Sequence, residues 1–164
     1  MKLIVAADKN WGIGKNNELL VSIPEDMRFF KKMTTGNVVV LGRKTLESFK
    51  NSKPLPDRTN IILTTRQDYK VEGAIVVHSI DELMETLKEY DSDNVYVIGG
   101  AKVYDQLIDK CDTAYVTKID KEFDADRYFP NLDKDTSWTL ESESEEGTYF
   151  SIVYTFRKYV KRNG

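Results

Sequence analysis

Among 164 residues the chain has one cysteine, Cys111, and one histidine, His78. That is too few for an internal disulfide or for a tetrahedral nitrogen and sulfur zinc site, so no metal is expected. An excess of positive charge is lacking too. The 24 Lys+Arg face 27 Asp+Glu, for a formal charge of -3 and a pI near 5.3, which argues against a surface built to hold nucleic acid or anionic lipid. Room remains for a local basic pocket. Long apolar runs are missing as well: Leu3 to Ala7 is closed by Asp8-Lys9-Asn10, shorter than a signal-peptide core or a membrane span. Neither a GxGxxG fingerprint nor a GxxxxGK[ST] loop occurs, so the commonest dinucleotide and phosphate loops lose their support. These gaps together predict a cytoplasmic protein of a reducing compartment.

What is present is enough apolar residue, 40% of the chain, to bury about 70% of the unfolded surface in one domain over residues 1–164. Short β-branched runs recur at Leu3 to Ala7, Val38 to Leu41, Ile61 to Leu63, Ile75 to Val77, Val95 to Ile98 and Tyr115 to Ile119. They read as strands buried on both faces. Helical spacing fills the gaps, in Ile23, Met27, Phe30, in Ile80, Leu83, Met84, Leu87, and in Tyr104, Leu107, Ile108. Alternation of this kind predicts an α/β fold with a mostly parallel sheet. The tail reads as an antiparallel hairpin with its turn at Gly147. Asp8 to Ser22, carrying Gly12 and Gly14, is a long early loop of the kind that often carries function.

Ser22-Ile23-Pro24-Glu25 is a capping-box pattern that predicts a helix start. On that helix Asp26 falls about 60° from Ile23, at the margin of the apolar stripe of Ile23, Met27 and Phe30. Two readings stand: an acid favoured by the helix dipole, and an acid in a poorly solvated cleft able to hold an amidine-like heterocycle. Two strands run into glycine and then a helix, at Leu41-Gly42-Arg43-Lys44-Thr45 and Ile98-Gly99-Gly100-Ala101. Glycine permits close approach of the backbone to a pyrophosphate. Leu63-Thr64-Thr65-Arg66, with Arg43 and Lys44, adds hydroxyls and cations for a further phosphate. Arg58, past the stiff Leu55-Pro56-Asp57 turn, suits a carboxylate. Each feature alone is weak, since glycine turns and solvated cations are common. Asp8, His78, Cys111 and Glu145-Glu146 show no partner at meaningful spacing and read as structural or solvated.

Taken jointly, Ile23-Pro24-Glu25-Asp26, Gly42-Arg43-Lys44-Thr45, Pro54-Leu55-Pro56, Arg58-Thr59-Asn60-Ile61-Ile62, Val97-Ile98-Gly99-Gly100-Ala101-Lys102-Val103-Tyr104, Tyr115-Val116-Thr117 and Phe129-Pro130 resemble dihydrofolate reductases, in order and spacing. The resemblance implies an eight-stranded, mostly parallel sheet with a C-terminal antiparallel hairpin and four helices. It also implies NADPH-dependent reduction of 7,8-dihydrofolate to tetrahydrofolate, by hydride transfer to C6 and protonation at N5, in a monomer. On this sequence it assigns Asp26 and Thr117 to the pterin, with Val5, Ala6, Met27, Phe30, Phe49 and Leu55 around the rings and Arg58 on the glutamate carboxylate. Ala7, Ile13, Gly14 and Tyr104 would adjoin the nicotinamide. Gly42 to Thr45, Leu63 and Ile98 to Val103 would hold the pyrophosphate half, with a cis bond between Gly99 and Gly100. Thr64, Thr65, Arg66, Arg43 and Lys44 would meet the 2'-phosphate.

The loop from Gly14 to Leu20 corresponds to the family's mobile lid. Two departures stand out. Relatives read Leu-Pro-Trp where this chain has Leu19-Leu20-Val21, removing an indole N–H that helps hold a water near the pterin, and Arg127 replaces a usual threonine. A riboflavin-pathway pyrimidine reductase is the alternative enzyme, disfavoured by Asp26 and Arg58. A non-catalytic nucleotide-binding protein is the alternative from another class.

Overall fold

The computed structural model describes residues 1–162. The strands β1 (Lys2–Ala7), β2 (Gly12–Gly14), β3 (Val38–Gly42), β4 (Thr59–Leu63), β5 (Ile75–Val77), β6 (Val95–Gly99), β7 (Thr113–Ile119), β8 (Arg127–Tyr128), β9 (Trp138–Glu143), β10 (Gly147–Tyr149) and β11 (Ile152–Lys161) alternate through most of the chain with α1 (Pro24–Thr34), α2 (Arg43–Ser48), α3 (Ile80–Leu87) and α4 (Ala101–Leu107). The main sheet runs in the order β10, β11, β7, β1, β6, β3, β4, β5, with β9 also paired to β11. The strands from β7 to β5 in that order are mutually parallel, and β11 is antiparallel to β7. Since β9 and β10 bond to successive stretches of β11, the nine strands fill eight positions.

The continuous apolar runs have a direct cause. Val38 and Val40 enter one buried cluster with Leu3, Ile61, Val97 and Leu107, while Val39 and Leu41 enter another with Leu46 and Ile62. A strand covered on both faces has no polar side to show, and each such side chain contributes about 1.5–3 kcal/mol of transfer free energy. The chain winds outward from β1 through β3 and β4 to β5, then turns back to insert β6 between β1 and β3 and goes on to β7 on the far side of β1. That reversal opens a crevice at the carboxyl ends of the strands, where sheets of this type bind ligands.

Two local expectations are corrected. The helix after Ser22 does begin at Pro24, but no capping box forms. Ile23 is the cap residue, with no side-chain cap bond, and its carbonyl accepts the Met27 N–H at 3.0 Å. Ile23 is buried in a third cluster with Ile119 and Tyr154, and Glu25 accepts the Tyr154 hydroxyl at 2.5 Å instead of reaching back. Gly147 is not the hairpin turn either. It is the first residue of β10 and pairs with Tyr154, and the chain turns after Tyr149, where Phe150 has φ 54°. A Cβ at Gly147 would lie 2.6 Å from the Tyr154 ring, so the glycine is there to admit that ring.

Candidate functional site

A cleft of about 1170 Å³ opens along the carboxyl ends of the strands, larger than a site for one drug-sized molecule. At one end Asp26, third residue of α1, is joined by the Thr117 hydroxyl of β7, which donates to Asp26 Oδ1 at 2.5 Å. Thr117 is itself buried, so the carboxyl is fixed in orientation, and Asp26 lines the cleft. Burial pushes the Asp26 pKa above the ordinary carboxylate range, and the bond from Thr117 partly opposes that rise. Val5, Ala6, Met27, Phe30, Phe49 and Leu55 line the walls around it. Met27 is 46% exposed, so the apolar stripe read on α1 is mostly cleft wall instead of core.

The other end is built from strand-to-helix junctions. Gly42, Arg43, Lys44, Thr45, Leu63, Thr64, Thr65 and the run from Ile98 to Tyr104 all face the cleft. A Cβ at Gly42 would come within 3.1 Å of Val103, and one at Gly100 within 3.2 Å of the Thr45 hydroxyl, so α2 and α4 begin nearly in contact. The Gly99-Gly100 peptide is cis. The Tyr104 hydroxyl donates to the Ile4 carbonyl at 2.7 Å, pinning α4 to β1.

Four sequence-read residues stand apart from this wall, one of them Thr117, which is buried and reaches the site through its bond to Asp26. Ala7 is fully buried behind it. Arg66 is exposed outside the lining, and Arg58 lines a shallow neighbouring depression that shares Leu55 with the cleft. Arg43 does face the cleft but is bound to Glu47 at 2.6 Å. Conversely His78, Ser79 and Ile80 face the cleft although their sequence gave no cue. His78 is placed by its Nδ1, 2.9 Å from the Thr64 carbonyl, a pairing between β4 and β5 ends with no local signature.

The lid is tied down at three points. At its root Asp8, 1% exposed, accepts the N–H groups of Asn10, Gly12 and Phe123 at 2.9, 2.7 and 2.9 Å. Midway, Gly14 O accepts Asp126 N–H at 2.9 Å and Asp126 Oδ2 accepts Asn16 N–H at 3.1 Å. At the tip, Asn17 Nδ2 donates to the Lys44 carbonyl at 2.8 Å across the cleft. Asp8→Ala would orphan buried donors, and is expected to lower stability by about 3 kcal/mol, read as a drop in the urea midpoint. Val21 is half-buried in the Ile23, Ile119 and Tyr154 cluster and offers no donor to the cleft.

A basic, glycine-floored trough continuous with an apolar chamber around Asp26 has the room and chemistry for a dinucleotide lying beside a flat-ringed substrate. The profile described as "Dihydrofolate reductase" matches residues 1–161. The dihydrofolate reductase of Bacillus subtilis (strain 168) is 39% identical over 166 residues, covering 99% of this chain and 95% of that one. That of Staphylococcus aureus is 33% identical over 165 residues, covering 99% and 98%. Among solved structures, dihydrofolate reductase from Enterococcus faecalis complexed with NADP(H) and RAB-propyl superposes with a TM-score of 0.87 at 35% identity, covering 99% and 96%. The chain belongs to the dihydrofolate reductase family.

Proposed function

We infer that the chain reduces 7,8-dihydrofolate to tetrahydrofolate with NADPH, and that Asp26 is the group that holds the pterin for the reaction. The observation that carries the reading is a half-buried acid, oriented by Thr117, at the apolar end of a cleft whose other end is glycine and cation. When bound, NADPH supplies the hydride that C6 accepts.

The residues fit that cofactor on two counts. Gly42 and Gly100 let the starts of α2 and α4 lie side by side, since a Cβ on either would crowd Val103 or the Thr45 hydroxyl, and the backbone of both junctions borders the trough where a diphosphate would lie. Lys44 and Lys102 face the same trough and supply the charge a diphosphate needs. Thr64 and Thr65, beside Arg43 and Lys44, suit the additional phosphate. At the opposite end the free Asp26 oxygen accepts from the N–H groups of the pterin ring, while Thr117 keeps the carboxyl from turning. Val5, Ala6, Met27, Phe30, Phe49 and Leu55 form the slot for flat rings and exclude bulk water. Exclusion of water keeps the Asp26 pKa raised above the ordinary carboxylate range. Alignment of two bound rings is then the main contribution of the protein.

Loss of reduced-nicotinamide absorbance with dihydrofolate present tests the activity; cofactor binding without turnover would favour the non-catalytic alternative. Val21→Trp is expected to change the pH profile of turnover or the affinity for dihydrofolate and its inhibitors, by placing an indole N–H near the pterin. A variant unchanged in all three would remove position 21 from proton supply. We further read the protein as a cytoplasmic monomer. The lone thiol, Cys111, is a packing group: it is buried, and burial pushes it up to about 12, out of the range of reactive thiolates.

A further inference from the structure

Arg127 lines the same cleft as Lys44, Gly100, Ala101, Lys102 and Gln106. Its position follows from the two-strand ribbon that carries the lid. In that ribbon Arg127 of β8 is the register partner of Gly14 of β2. Gly14 has no side chain to set beside that of Arg127, and both residues line the cleft. A Cβ placed on Gly14 would come within 4.0 Å of Arg127 Cβ and within 3.2 Å of the Glu18 carbonyl.

The guanidinium is largely unclaimed. Its Nη1 donates to the Asp126 carbonyl at 3.0 Å, and the carboxylate nearest to it, Asp126 Oδ1, is 4.0 Å away. The other Asp126 oxygen is engaged by the Asn16 N–H of the lid. The side chain remains 62% exposed, leaving most of its five donors free. By contrast Arg43, the other arginine of this wall, is held by Glu47 at 2.6 Å. Among the described residues Lys44 and Lys102 form no ion pair, so Arg127 joins them as an available cation of the cleft, and the one that can bind two oxygens at once.

We propose that Arg127 is a cofactor-binding residue of this chain, its guanidinium closing from the lid ribbon onto the diphosphate bridge of NADPH opposite Lys102. The assignment rests on the reductase reading of the cleft. It also makes lid position and phosphate contact one event: the strand that carries Arg127 is bonded to Gly14 and, through Asp126, to Asn16. A lid that lifts takes the guanidinium's support with it.

Calorimetric titration of NADPH into the wild type, Arg127→Thr and Arg127→Lys at several salt concentrations tests this. Arg127→Thr is expected to weaken NADPH about tenfold, as for loss of one charge-assisted contact, and to flatten the dependence of affinity on salt. Arg127→Lys is expected to keep the salt dependence while regaining only part of the affinity, since an ammonium does not reproduce the fork. Adenosine 2'-monophosphate, which carries neither phosphate of the bridge, is expected to bind all three proteins equally and so reports an intact fold. NADPH affinity and salt dependence unchanged in Arg127→Thr would overturn the proposal, as would an equal loss for the monophosphate. A wild type that takes up no NADPH would overturn the reductase reading beneath it.

Discussion

Asp26→Asn is expected to cut turnover of dihydrofolate roughly 10²–10³-fold at neutral pH, the usual scale for removal of a positioned acid, with NADPH affinity nearly unchanged. The amide keeps the shape and still accepts from the Thr117 hydroxyl, which donates to Asp26 Oδ1 in the wild type, but it carries no charge and does not titrate. The same substitution is expected to stabilise the fold. Burial raises the folded pKa of Asp26 above its ordinary 3.8, so the protein binds this proton more tightly folded than unfolded. Stability from that source is fully present below 3.8 and is lost as pH rises through the folded value. Wild type and Asp26→Asn should therefore melt alike in acid, with the variant melting higher as pH approaches neutral, a trade of stability for function. A fully active variant, or one that melts lower at neutral pH, would remove Asp26 from the role given to it.

For Arg58→Leu the expected change is in substrate affinity. The guanidinium of Arg58 lies 5.9 Å from the Phe30 ring and donates to the Thr35 hydroxyl at a long 3.3 Å. Its Nε is buried with no partner at all, and burial lowers its pKa. A buried donor with nothing to bond is poised for an acceptor from outside, and the glutamate carboxylate of the substrate is of that chemistry. Removing the charge-assisted pair is expected to cost about 2–3 kcal/mol, seen as a KM for dihydrofolate raised roughly 30- to 160-fold with kcat nearly kept. Dihydropteroate, which lacks the glutamate, should be reduced equally by both proteins. Equal loss on both substrates would mean that Arg58 acts on the shape of the cleft instead of on a carboxylate.

Legibility in the sequence followed the range of the interactions. The parallel strands could be read because burial on both faces forces unbroken apolar runs such as Val38 to Leu41. Asp26 could be noticed because a carboxylate on an apolar stripe is locally odd. Its partner Thr117, 91 residues away, emerged only through family resemblance, for no spacing rule links α1 to β7. His78 was passed over for the same reason: what brings it to the cleft is the pairing of β4 with β5 and a bond to the Thr64 carbonyl. The capping box failed because a tertiary claim, Tyr154 on Glu25, outweighed a local one. Gly147 misled in another way: it looked like a turn residue, whereas its lack of a side chain serves an aromatic ring across the strand.

The division of the outermost strand into β9 and β10 bears on how the protein behaves when crowded. Unpaired strand edges are templates for another chain to dock and propagate into fibres. Here one border of the sheet is broken after Glu143 and resumes only at Gly147, with Ser144, Glu145 and Glu146 in the gap, and the opposite border, β5, is three residues long. Neither rim offers a long template, and the acidic break repels a second copy of itself. Concentrated refolding should consequently proceed with little turbidity.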